Sequence, residues 1–547
     1  GYKNAGYTPI DTSVSDYKFD YKLLGDEFVD RAGQLYNYNP TNHYQRPQDK
    51  INAGFFSKYS ITDKSEVYAD VRYTKNESPS QIAYSGTFGD LRSVPCYNAN
   101  FSEQIYNAVC GNWTGMGGSH APNFATGAEA LAYISSLDGQ VADGSIIGYS
   151  APMRSLKRNV EGGPRTYTQS YTNITASVGM RGDINDDWRY DISYQTSQVD
   201  YSQEIQNDLS VTKLLRATNV INVAGVPTCV SKLNGTDANC IPYNLFSGGL
   251  AGDGGIQAIW DANPEIQTYM AIPNFILGDS SETIFQAYVE GTTNFSIPGA
   301  PSAVSMVAGY ESRELESDYR PDASSQAADR TGAGGPIVAL AGSYDVKEYF
   351  FEFGIPVTDS LNLEAGMRFA DYSTDNDTDA FKLGAFYKLN DELSFRGTVQ
   401  TATRHGSITE LYRGQGASLT DLDPDPCGTN PESGAAPTAT QAQCANTGLP
   451  ASLYGSDLKS PADQYNILTG GNPNLRPEES ESTTLGVVWT PSSIEGLTVT
   501  LDYFDILVED RIGTIPAQTS IDKCLATGNS TFCNLIERDP IMGSLWV

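Results

Sequence analysis

Residues 51–73 read Ile51-Asn-Ala53-Gly-Phe55-Phe-Ser-Lys-Tyr59-Ser-Ile61-Thr-Asp63-Lys-Ser65-Glu-Val67-Tyr-Ala69-Asp-Val71-Arg-Tyr73. Apolar residues recur at every second position on both sides of the turn Asp63–Ser65, Ser57 excepted. Asn52, Gly54, Lys58 and Ser60 lie between them on one side, and Tyr68, Asp70 and Arg72 on the other. A period of two marks a strand with one apolar and one polar face. After a long connection over 84–165 the same unit returns: strand, Asn185–Asp187, strand, with Trp188, Tyr190, Ile192 and Tyr194 alternating with Arg189, Asp191, Ser193 and Gln195.

Farther along, Leu361, Leu363, Ala365, Met367 and Phe369 form one apolar file. Phe381, Leu383, Ala385, Tyr387 and Leu389 form another, and Leu497, Val499, Leu501 and Tyr503 a third. The alternation predicts about twelve strands, near 49–62, 66–83, 166–184, 188–206, 283–297, 304–320, 344–358, 361–375, 378–390, 393–405, 482–491 and 497–513. Tight connections fall at Asp63–Ser65, Asn185–Asp187, Pro298–Ala303, Asp359–Ser360, Asp391–Glu392 and Pro491–Gly496. Every second connection is long, over 84–165, 207–282, 321–343, 406–481 and from 514 onward; only the link near 376–377 departs from the rule. One end of the sheet is trimmed and the other elaborated, as in outer-membrane barrels with short periplasmic turns and long extracellular loops. The fold class is all-β, an antiparallel transmembrane β-barrel with outer-membrane lipid against its apolar face.

The mean hydropathy of -0.35 does not oppose this. Only every second strand residue of a barrel meets lipid, and its loops are polar. The 33 tyrosines, with Trp188 and Trp489 beside short turns, suit an interfacial aromatic girdle. A β-sandwich is the rival, but sandwiches do not normally place such long loops at one end only.

All eight cysteines fall in the long connections, in close pairs: Cys96 and Cys110, Cys229 and Cys240, Cys427 and Cys444, Cys524 and Cys533. The spacing favours neighbour pairing over the other formal connectivities. Each bridge would add on the order of 3 kcal/mol by chain entropy and implies an oxidising compartment. Zinc is the alternative, but there is no Cys-x-x-Cys, and His43, His120 and His405 are distant from the pairs. We expect no metal or cofactor. Thr126–Glu129 has a capping-box pattern opening a helix, and Asp208 is a candidate cap for a second one, both expected to pack loop against loop.

The net charge of -31 excludes nucleic acid, which requires clustered Lys and Arg. The acidic run Asp421-Leu-Asp423-Pro-Asp425 reads as a solvated loop, with calcium capture left open. No G-x-S-x-G elbow, H-E-x-x-H or phosphate loop occurs, so an enzyme is not expected.

Three segments carry a family resemblance. Thr401-Ala-Thr-Arg404-His-Gly-Ser407-Ile-Thr-Glu410-Leu-Tyr412 resembles the strand-to-loop motif of TonB-dependent outer-membrane receptors, with His405-Gly406 in place of Ala-Pro. Gly471-Asn-Pro-Asn-Leu475-Arg-Pro-Glu478-Glu-Ser480 is similar to the family's Gly-Asn-x-x-Leu-x-Pro-Glu-x-Ser element. Arg158-Asn-Val-Glu-Gly162-Gly163-Pro164-Arg165 resembles a signature of a large-loop, Caulobacter-like subgroup.

The resemblance implies a barrel of about 22 strands filled by an N-terminal plug, taking up a ferric siderophore, cobalamin or oligosaccharide with energy relayed by the TonB complex through a TonB box. Residues 1–547 are then expected to be an internal part of that barrel, without plug, TonB box or final strands. A passive porin and a surface-binding barrel are the alternatives. The ligand is expected at loops 84–165, 207–282 and 406–481, where Trp113 and Trp260 are candidate ring-binding residues, with loop-core packing as their plainer role.

Overall fold

The computed structural model describes residues 2–4, 20–30, 37–91, 93–110, 120–137, 149–246, 264–332, 335–430, 433–460, 464–539 and 543–545. Its main body is one 12-stranded antiparallel sheet in which each strand pairs with the one before and the one after it. The strands are β1 (Asp49–Thr62), β2 (Ser65–Tyr84), β3 (Pro164–Asp183), β4 (Trp188–Leu209), β5 (Ala271–Thr292) and β6 (Ser305–Pro321). They continue as β7 (Leu340–Thr358), β8 (Leu361–Tyr372), β9 (Asn376–Lys388), β10 (Leu393–Arg404), β11 (Glu478–Trp489) and β12 (Val499–Glu509). The sheet is open, with β1 and β12 as its edges.

The period-two pattern located all twelve, with one large boundary error. β5 begins at Ala271, where the alternation pointed to 283. Phe275 and Leu277 are exposed on one face while Asn274 and Ile276 are buried on the other, so apolar residues on both faces erase the period. The irregular link near 376–377 is also resolved. Ser373–Asp375 is a tight hairpin whose Asp375 has φ 58, a left-handed conformation that Asp tolerates. That hairpin stands at the long-loop end, so the alternation of ends is unbroken.

Register explains the two faces. Successive pairings draw one lateral line through Val67, Met180, Ile192, Ala287, Tyr310, Tyr349 and Phe369. One residue over, the opposite face runs Glu66, Arg181, Asp191, Tyr288, Gly309, Phe350 and Arg368. The apolar face carries the expected Ile192, Leu363, Met367, Phe381, Leu383, Val499 and Leu501, all exposed. Tyr190 lies on it too, half-buried, its hydroxyl on Ser65 Oγ. The inner face is laced by ion pairs: Arg181–Glu66, Arg313–Glu282 and Arg368–Glu348 join neighbouring strands, and Arg396 reaches over β11 to Asp502 on β12.

The apolar belt covers only the half of the long strands next to the short turns. On β2 it runs Val67, Ala69, Val71, Tyr73 and then yields to Lys75 and Glu77, which pair with each other. On β4 Trp188 to Tyr194 give way to Gln198 and Asp200, joined by a hydrogen bond. Farther round the sheet, Arg320 bridges Asp279 and Asp318 on the same outer face. A spanning strand needs about 9–11 residues, and β2–β5 have 20 to 22. Their upper halves therefore stand above the bilayer as a hydrophilic wall.

Leu383→Arg in the full-length protein, on the lipid face of β9, is expected to cost about 2–4 kcal/mol. Gln400→Arg, on the inner face of β10, is expected to change stability little. Urea titration in lipid vesicles, read by heat-modifiable gel mobility, checks the difference; equal costs would refute the assignment of faces.

Candidate functional site

At the long-loop end of the sheet the described parts of the connections fold as packed bodies. In the first, the described residues of the connections after β2 and after β4 share a hydrophobic core that includes Val94, Tyr97, Ile105, Ile134, Leu214 and Phe246. The helix Gly127–Leu137 opens on the expected capping box, with Thr126 Oγ1 accepting from Glu129 N and Glu129 Oε2 accepting from Thr126 N. The second expected helix is Val211–Thr218, but its cap is Ser210 rather than Asp208. Asp208 is instead fully buried, accepting from Ser85 Oγ at 2.5 Å and paired with Arg330 at 3.1 Å. That pair ties the loop 322–339 to the top of β4. Both helices pack loop against loop, as expected.

The second body joins 405–477 to the segment after β12, around Cys427, Cys444, Leu449 and Leu458 with Leu525 against them. Asp421 and Asp423 of the acidic run are exposed, as expected, but Asp425 takes a different role. Asp425 is buried, accepts from Arg538 Nη1 at 2.6 Å and Nη2 at 3.1 Å, and also accepts from Cys427 N. Arg538 in turn donates to Thr447 Oγ1 and Gly543 O. The carboxylate is committed to an internal ion pair.

All four cysteine pairs are disulfides in the expected pairing, with Cα separations of 5.8, 6.2, 5.7 and 4.8 Å. They lie after β2, β4, β10 and β12, which antiparallel order places at one end, opposite Asp63–Ser65 and Asp391–Glu392. Trp113 and Trp260 lie outside the described residues.

Two of the sequence motifs, about 60 residues apart in the chain, fold into one clamp at the base of the long loop between β10 and β11. Ser407 and Glu410 form a capping box on the helix Ile408–Tyr412. Arg404, ending β10, donates to Glu410 at 2.9 and 3.2 Å and to Glu478, opening β11, at 2.8 and 2.9 Å. The same Glu478 accepts from Ile512 N at 2.7 Å. Gly471 N donates to Arg413 O and Asn472 N to Glu410 O. A Cβ on Gly471 would lie 2.8 Å from backbone atoms, so only glycine fits. The Arg404 guanidinium, then the Ser407 amide, hold the Glu410 carboxyl below its ordinary range.

His405, the departure from the family pattern, stacks on Tyr372 with centroids 4.2 Å apart and planes 6° apart. Its Nε2 meets Thr374 Oγ1 at 2.7 Å and its Nδ1 meets Gly406 O at 2.9 Å. Burial pushes its pKa down and favours the neutral ring. Arg158–Arg165 is likewise structural. Arg158 Nη1 donates to Tyr84 O, and Gln267 Nε2 donates to Gly162 O. The loop core, the Arg404 clamp and the Asp425–Arg538 pair had no individual signal in the sequence. The motif residues were the only clue to the clamp.

An apolar belt, a charged inner face and disulfide-pinned loops at one end together define an outer-membrane β-barrel protein. The chain belongs to the TonB-dependent receptor-like β-barrel family, whose description matches residues 127–535. It is accordingly a protein of the bacterial outer membrane. No curated protein matches it. Among solved structures it is similar to a mutant ferric enterobactin receptor PfeA of Pseudomonas aeruginosa in complex with enterobactin, at 11% identity over 91% of this chain and 47% of that one, TM-score 0.42. It is also similar to the siderophore receptor PirA of Acinetobacter baumannii (14% identity, 85% of this chain, 44% of that one, TM-score 0.38). The RagAB peptide importer gives 9% identity over 84% of this chain and 40% of that one, TM-score 0.40. The chain spans less than half the length of each of these.

Arg404→Ala is expected to leave the strands paired but to speed proteolytic nicking within 414–470. The Glu410 carboxyl, depressed in the folded protein, contributes stability that is present above its unfolded pKa and lost as pH falls through the folded one. Wild-type protection from an acid-active protease should therefore hold near neutrality and fade below about pH 4, the ordinary Glu range. Limited proteolysis read by mass spectrometry, across pH, checks both.

Proposed function

We propose that the chain is the barrel-wall and loop portion of a receptor that takes up a scarce nutrient across the outer membrane with energy from the TonB complex. Family membership carries this reading. The charged inner face and the cross-linked loop layer support it. A charged wall suits a lumen filled by a polar plug, and packed, disulfide-closed loops lower the ordering cost of ligand capture. The two unpaired sheet edges suit a wall completed by further strands. The nutrient in this reading is a ferric siderophore, cobalamin or an oligosaccharide, and the proposed role is transport rather than catalysis.

The clamp makes a clean excision possible, because Gly471 N already donates to Arg413 O at 2.7 Å. In the full-length receptor, residues 414–470 can be replaced by a two-glycine linker. Surface binding is expected to fall at least tenfold, and uptake with it. Wild-type uptake should stop when the proton-motive force is collapsed. Uptake that survives that collapse would refute energised transport, and unchanged binding after excision would dismiss this loop as a ligand gate.

A further inference from the structure

The inner face of the hydrophilic upper wall differs in chemistry from the face below it. Direct register pairs run Asn76–Tyr171, Tyr171–Tyr201, Tyr201–Gly278 and Gly278–Tyr319, so these residues form one lateral row across β2 to β6. The Tyr171 and Tyr201 rings lie 4.9 Å apart, and the Tyr201 and Tyr319 rings 6.5 Å apart with planes within 15°. Gly278 lies between the last two, and a Cβ there would sit 3.6 Å from the Tyr201 ring. Having no side chain, it leaves the two rings to run on as one surface over the intervening strand. Tyr171 is 40% exposed.

One pleat above and below the row, the same face presents Gln169, Asn173, Gln203, Ser280 and Ser317, with Val199, Ile276 and Pro321 as its apolar members. The polar ones, together with Asn76, are amides and hydroxyls, and none carries a charge. Ion pairs begin lower, at Arg313 with Glu282 and Glu311. Above, Arg330 is committed to Asp208. Arg413, on the neighbouring loop, is a further donor near Tyr319.

Flat aromatic faces bounded by neutral amides and hydroxyls match a pyranose ring, which is apolar on its faces and hydroxylated at its rim. An anionic iron chelate would instead call for a basic cluster, and the -31 charge of the chain opposes it at long range. Cross-strand packing alone would be satisfied by phenylalanine. Resting on the transport reading above, we propose that the Tyr171–Tyr201–Tyr319 row is a sugar-binding platform and that the nutrient is a neutral oligosaccharide.

The test uses the intact receptor in detergent, applied to an array of neutral and acidic oligosaccharides and separately titrated with ferric enterobactin as a siderophore probe. Binding of a neutral oligosaccharide is expected. Tyr171→Ala combined with Tyr201→Ala should weaken it at least tenfold, while Tyr201→Phe should weaken it less than threefold. Gln203→Leu, which leaves the rings in place, should weaken it severalfold, so the proposal stays testable if the double variant fails the heat-modifiability check for folding. No neutral oligosaccharide bound, binding indifferent to Gln203→Leu, or tight binding of the siderophore probe would each overturn it. Energised uptake of the siderophore would overturn the platform and leave transport standing. Sugar uptake that survives collapse of the proton-motive force would do the reverse.

Discussion

Lateral backbone hydrogen bonding is the constraint on which the rest of the molecule depends. Lipid offers no partner for an N–H or C=O, so each spanning segment must satisfy its backbone on its neighbours, and only a sheet with strict register does so over twelve strands. Strict register makes the two faces chemically distinct. A one-residue slip in β4 would put Asp191 into lipid and Ile192 against the Arg181–Glu66 pair. Ion pairs on the inner face such as Arg181–Glu66 and Arg368–Glu348 then link strands that the backbone also links, and Arg396–Asp502 reaches one strand farther, over Gly486 of β11.

The loops solve a different problem with soluble-protein means. They are long enough to bury their own apolar residues, and they do so in two bodies, each containing two disulfides. Two buried ion pairs stand at these bodies, Asp208 with Arg330 and Asp425 with Arg538. Removing one partner from such a pair leaves an uncompensated buried charge, which typically costs about 3–5 kcal/mol. The bodies are held to the wall at strand ends. Arg330 reaches Asp208 at the end of β4, and Arg404 holds the helix after β10 to the first residue of β11.

These two regimes explain what the sequence disclosed. Strands were legible because lipid on one side and charge on the other force period two, and the pattern weakened only at 271–282, where Ile276 and Asn274 turn inward beneath packed loops. The disulfides were legible because each pair is close in the chain. Asp208 was misassigned as a cap because Ser210, two residues on, offers the same chemistry, while the partner that claims Asp208 lies far along the chain at Arg330. Asp425 was read as solvated for the same reason. Contacts between residues distant in sequence carry no local period, so the loop cores and the Arg404 clamp emerged only from the folded chain. His405 stood out as a departure from the family motif, and its stacking on Tyr372 gives that departure a physical basis.

The upper wall combines features of both regimes. It is strand by construction, so its side chains are spaced by the sheet to within the precision of backbone hydrogen bonds, yet it faces water on both sides. A binding surface needs groups held in fixed relation, and sites built on strands hold them better than sites on loops. Tyr171, Tyr201 and Tyr319 are spaced by register, without any loop having to close on them. If the row is the proposed sugar platform, the loop layer would govern access and dwell time while the wall would set which ligand chemistry is accepted. Sequence change within the loops would alter capture without disturbing the row, whereas loss of a single ring would alter what is captured.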